Sequence, residues 1–153
     1  MSINFEKFDK MIDTEELIND IQETVKSEKK YKIIPPDRYE VKVEKMELVK
    51  SKKGMPMVSI WFKIINGEFQ NSLLFYNKVI MGTRNDAFMI RSNNQFLSQL
   101  RSGLEIRFDS YSQYAELLSD IFRNIDGKLE YQVRYEETPH GFKTFEIENV
   151  FEL

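Results

Sequence analysis

Among its 153 residues the chain has no cysteine and only one histidine, and no apolar run approaches the ~20 residues that a membrane helix needs. Without cysteine there are no disulfides, no thiolate chemistry and no cysteine-ligated zinc, which fits a reducing compartment. The lone His140 lies between Pro139 and Gly141 in a turn-like segment, with no second histidine for a metal site or a proton relay. Glycine is scarce as well, six in all, and none forms a phosphate-cradling loop. The clustered carboxylates Glu15, Glu16, Glu136 and Glu137 are adjacent pairs in polar segments, so neither a metal nor a cofactor is expected, and no enzyme. The N-terminus, MSINFEKFDK, lacks the basic and apolar regions of a signal peptide, and a cytoplasmic protein without a membrane partner is expected.

Charge is present but segregated. The net charge is −3, yet residues 26–103 carry 15 basic and 7 acidic side chains, against 2 and 7 in residues 1–25 and 5 and 11 in residues 104–153. Phosphate affinity follows the local field within a Debye length of about 8–10 Å, so a mildly acidic chain can bind nucleic acid through one basic zone.

The length fits a single domain with a real core. Residues 1–32 read as an arm followed by an acidic helix. Asp13 and Glu16 form a capping-box pattern, and Leu17, Ile18, Ile21 and Val25 share one face. Pro35 and Pro36 then force extended geometry ahead of a first strand. In that strand Tyr39, Val41 and Val43 alternate on one parity while Met46 and Leu48 continue on the other, which predicts a β-bulge near Glu44 and Lys45.

A loop over 49–56 (VKSKKGMP) follows, then a second strand over 57–65 with Val58, Ile60, Phe62 and Ile64 inward and Ser59, Trp61 and Lys63 outward. Asn66 and Gly67 signal a tight turn. For the third strand, over about 72–81, the chosen core face is Leu73, Phe75 and Val79, which puts Leu74, Tyr76, Lys78 and Ile80 outside. Helices are predicted over 84–102, ended by Gly103 with Phe88, Phe96, Leu97 and Leu100 apolar, and over 112–125, with Tyr114, Leu117, Leu118, Ile121 and Ile125 on one stripe. Leu129, Tyr131, Val133 and Tyr135 mark a fourth strand, and a turn at 138–141 leads into a fifth over 142–151.

Three strands, a helical insertion and a closing hairpin is the order of the OB-fold, a five-stranded, partly open barrel that binds oligonucleotides or oligosaccharides on its second and third strands. The expected fold is thus mainly β with helical additions: an OB-like barrel over 33–153 behind the arm and helix of 1–32. The expected site is a single-strand reader. Trp61 and Lys63 would lie beside Tyr76 and Lys78, with Lys50, Lys52 and Lys53 closing over one end, so that aromatic faces stack on bases and ammonium groups meet phosphates. Trp61 could instead pack beneath the helical insertion, the lysine-rich loop could be only a soluble turn, and Phe142, which could stack on a base, is read as an anchor of the last hairpin.

The run IIPPDRYEVKVEKMELVKSKKGMPMVSIWFKIINGEFQNSLLFYNKVI, together with the closing GFKTFEIENVF, resembles the phage-encoded single-stranded-DNA-binding proteins of Gram-positive phages and prophages. The resemblance covers about residues 33–151. It implies an OB-fold protein that binds and protects single-stranded DNA in phage replication and recombination, beside a recombinase or replication protein. Many single-strand binders end in an acidic tail that recruits partners; this sequence ends in ENVFEL, where a strand is expected, so recruitment by such a tail is not expected. The alternative is a protein-interaction or inhibitor module of a mobile element that uses a similar barrel. Exposed sheet edges also make a homo-oligomer a candidate assembly.

Overall fold

The computed structural model describes residues 33–153, so the expected N-terminal arm and acidic helix lie outside the described residues. Ile34–Leu153 forms a compact unit. Its elements are β1 (Asp37–Lys50), β2 (Pro56–Ile64), β3 (Leu73–Val79), α1 (Asp86–Gln99), α2 (Tyr111–Ile125), β4 (Leu129–Glu137) and β5 (Lys143–Glu152). The strands form one antiparallel sheet in the order β3-β2-β1-β4-β5. No helix among the described residues is long and apolar enough to cross a membrane.

The long first strand organises this sheet. It pairs with β4 over its first residues, from Asp37 to Val41, and with β2 from Val41 to Lys50. The expected bulge is present: the register with β2 shifts between Val43 and Lys45. The extra residue lets Val43 and Met46 both point into the core, at 3% and 4% exposure, although they stand three positions apart.

Over the inner face lies α2, packed against β1 by its stripe of Tyr114, Leu117, Leu118, Ile121 and Ile125, all buried as the periodicity predicts. Ser110 caps it: the Gln113 amide donates to Ser110 Oγ at 3.0 Å, and the Asp109 amide donates to Gln113 Oε1 at 2.9 Å. The same core contains Val41, Val58, Ile60, Phe62, Ile64, Tyr131 and Val133, all at 0% exposure.

The sheet is open. β3 and β5 approach one another without pairing, and α1 packs against both. A closed barrel is therefore not what the described residues form: mainly β with two helices holds, closure does not.

Three local expectations are corrected. Asn66 and Gly67 do not make a tight two-residue turn. Ile64 and Ser72 close the hairpin, the Ile64 amide donating to the Ser72 carbonyl at 2.9 Å, and the longer loop brings Phe69 edge-on to Tyr39 with ring centroids 6.1 Å apart. That apolar contact accompanies the longer excursion.

The first helix is shorter than predicted. It starts after Asn85, whose Oδ1 accepts the Phe88 amide at 3.0 Å, and its C-cap is Leu100, so Arg101 rather than Gly103 turns the chain just past it, with φ of 53°. The Tyr131 hydroxyl donates to the Leu100 carbonyl at 2.7 Å and satisfies a group the helix end leaves free. Phe88, nine residues before Leu97, lies on the opposite side of a helix that turns about 100° per residue, and it is 61% exposed.

The third correction is the core face of β3. Leu74, Tyr76 and Ile80 are buried, while Phe75 and Asn77 are exposed.

Candidate nucleic-acid interface

Direct cross-strand partners in an antiparallel sheet share a face, and this register decides β3. Ile60 pairs with Tyr76, and Phe62 with Leu74; because β2 sends Ile60 and Phe62 inward, it takes Tyr76 and Leu74 with it. Trp61 pairs with Phe75 and so points outward with it.

On that outer face the Trp61 and Phe75 rings meet edge to face, centroids 5.6 Å apart and planes at 87°. From β1, Lys45 pairs with Trp61 and holds its Nζ 4.7 Å from the indole centroid, while also reaching Glu47 Oε1 at 3.0 Å. Lys63 follows Trp61 on the same face, opposite Lys42 on β1. Lys42 in turn pairs with Glu44 at 3.3 Å. The result is a half-open aromatic pair in a setting of ammonium groups.

Tyr76 is no stacking platform. Its ring stacks on Phe96 of α1 at 4.5 Å and 10°, and its hydroxyl donates to Asn93 Oδ1 at 2.7 Å. Asn93, fully buried, donates from Nδ2 to the Tyr114 hydroxyl at 2.7 Å, and that hydroxyl donates to Asn94 Oδ1. This chain of hydrogen bonds ties β3, α1 and α2 together and lets two phenols lie in the core without an unpaired polar atom. Burial pushes both phenols up, Tyr114 to about 12.

Lys78 also differs from expectation. It shares the inner parity of Tyr76, pairs with Val58 and is half-buried, with Nζ donating to Ser92 Oγ at 2.9 Å. Desolvation holds its ammonium below the usual lysine range.

The basic loop is where the sequence places it. Residues 51–55 form a tight turn in which the Ser51 amide donates to the Met55 carbonyl at 2.7 Å and the Gly54 amide to the Ser51 carbonyl at 2.8 Å. Gly54 takes φ of 79° there, a conformation that favours glycine. Lys50, Lys52 and Lys53 are all exposed. Trp61 stands five residues along β2 from Pro56, about 16 Å at the strand rise, so loop and aromatic pair lie along one path.

Of the residues expected to form the site, the outer face unites Trp61 and Lys63, and the turn at its end carries Lys50, Lys52 and Lys53. Tyr76 and Lys78 lie on the other side of β3. Phe75 and Lys45 join the candidate site around Trp61 without having been read from the sequence. The available signal was register: once β2 is oriented, the residue opposite Trp61 must point outward with it. Phe142 is corrected too: its ring, 70% exposed, does not pack into the core, and only its backbone is held in the hairpin.

Comparison with known families matches residues 13–138 to one described as a protein of unknown function (DUF669). No curated protein matches the chain.

Proposed function

The chain belongs to the DUF669 family, and we propose that it is a non-catalytic single-stranded-DNA-binding protein built on an OB-like sheet, working in phage DNA replication or recombination. The observation that carries this reading is the outward Trp61–Phe75 pair beneath the Lys45 ammonium. A half-open aromatic pair beside cations, on the face turned from the core, offers little to the core. It offers an unstacked base a π-face worth roughly 1–3 kcal/mol, whatever the base, with a charge for the neighbouring phosphate.

Support also comes from the strand order. The order β3-β2-β1-β4-β5 leaves the sheet open between β3 and β5, and the OB-fold, to which this reading assigns it, is itself only partly closed. The sequence resemblance to phage single-stranded-DNA-binding proteins points the same way.

The test uses the only tryptophan as reporter. Titration with oligo(dT) is expected to quench Trp61 fluorescence saturably. A folded protein whose tryptophan does not respond, and which does not retain labelled oligo(dT), would favour the protein-partner reading instead.

The loop separates electrostatics from stacking. If Lys50, Lys52 and Lys53 each neutralise a phosphate, the triple alanine variant should flatten the slope of log K against log salt by roughly 2, since each single-strand phosphate contact contributes about 0.7. Trp61→Ala removes a neutral contact and should leave that slope nearly unchanged. An unaltered slope in the triple variant would make the loop a soluble turn only, and would direct attention to the exposed Arg84, Arg91 and Arg101.

A further inference from the structure

A groove of about 590 Å³ occupies the seam between β3 and β5, beside α1. That volume lies within the range of small-ligand sites. Phe75 lines it and is also the ring against Trp61, so a strand crossing the outer face reaches the seam without leaving the surface.

Three features mark this groove. Phe142 stands on its wall with 70% of its surface in water, although its backbone is held: the Thr138 amide donates to the Phe142 carbonyl at 2.7 Å, and the Phe142 amide to Thr138 Oγ1 at 3.1 Å. A fixed hairpin thus presents a ring that packs on nothing in the core.

Lys78 is the second feature. It is half-buried, donates to a neutral serine and lies 5.7 Å from the Tyr76 ring centroid, and among the described residues no carboxylate lies within ion-pair distance. A desolvated ammonium without a counter-charge is costly, and an arriving phosphate oxygen would supply one. Third, Gln95 and Gln99 are exposed one turn apart on α1 and line the groove together. Their amides both donate and accept, as base edges do. Lys143 adds a second cation to the lining and Glu146 one carboxylate.

We propose that the seam groove takes one nucleotide of the bound strand, its base against Phe142 with the polar edge toward Gln95 and Gln99, and its phosphate on Lys78. This rests on the single-strand reading above and extends it: α1 becomes part of the binding surface, and the strand turns around the edge of β3. Aromatic ring, amides and an ammonium with no carboxylate partner among the described residues, in one cleft, match a nucleotide better than an apolar ligand.

The experiment compares Phe142→Ala, Phe142→Tyr and Lys78→Met with the unaltered protein on an oligo(dT) ladder of about 4 to 16 nucleotides, read by anisotropy and by Trp61 quenching. Phe142→Ala is expected to bind the longer oligomers roughly tenfold more weakly, Phe142→Tyr to restore binding, and Lys78→Met to reduce the salt slope by about 0.7. Quenching at saturation should be the same in all, because Trp61 is reached separately. Unchanged affinities and slopes in Phe142→Ala and Lys78→Met, with Trp61 still quenched, would show that the strand bypasses the groove and would overturn this proposal alone. Absence of both quenching and retention in the unaltered protein would overturn the single-strand reading and this proposal with it.

Discussion

Replacing Trp61 and Phe75 together by alanine is expected to weaken binding to oligo(dT) by about 2–6 kcal/mol, at roughly 1–3 kcal/mol for each stacked base. The two rings touch, so the double variant will not equal the sum of the singles, and the coupling itself reports that they form one platform. Folding should survive. The edge-to-face contact contributes only about 0.5–1.5 kcal/mol beyond its area, and both rings lie on the face away from Val58, Ile60, Phe62 and Ile64. Tyr76→Phe is the matching control, expected to leave DNA affinity alone while lowering stability through the lost hydroxyl to Asn93. A folded double variant that binds as tightly as the unaltered chain would refute the platform. A double variant that unfolds would place these rings in the core.

Alkaline pH should destabilise the fold steeply. Tyr76, Tyr114 and Tyr131 are buried, and desolvation raises all three phenols above their ordinary value near 10, Tyr114 to about 12. Below pH of about 10 these phenols are neutral in both folded and unfolded chains, and their contribution is fully present. Above it the unfolded chain releases protons that the folded chain keeps, so stability falls as pH rises through the window up to the folded pKa values. Each group contributes up to about 1.4 kcal/mol per pH unit, and the three together roughly 4. Urea unfolding midpoints should therefore be nearly flat between about pH 8 and 10 with respect to these groups and drop sharply beyond. Tyrosinate absorbance from the three should appear only with unfolding. Stability that stays level to about pH 12 would contradict the burial of these hydroxyls.

The same three tyrosines show why the site was only partly legible. Tyr131 and Tyr114 lie on clean periodicities, one strand-like and one helical, and were readable as core. Tyr76 sits in LLFYNKV, where Leu73 and Leu74, then Phe75 and Tyr76, are apolar on both parities. Hydrophobicity cannot choose between faces in such a run, and a wrong choice turns every side chain over. The polar partner that makes Tyr76 tolerable inside, Asn93, comes from a helix 17 residues further on.

Phe142 illustrates the same limit at a loop. Its place after a turn was plain, but whether its ring packs inward depends on what stands across the seam. There β3, α1 and β5 leave a groove rather than a filled contact.

Local pattern by itself determined the bulge in β1, the orientation of β2, the buried stripe of α2, the inward face of β4 and the exposed lysines of the first loop. Each follows from a period of 2 or 3.6 or from a turn-forming glycine, quantities that belong to a few consecutive residues. Tertiary structure alone decided the face of β3, the early end of α1, the open seam between β3 and β5 and the pairing of Trp61 with Phe75 and Lys45. These depend on register and on which distant groups satisfy one another's hydrogen bonds, and such pairings form only when strands and helices far apart in the chain meet.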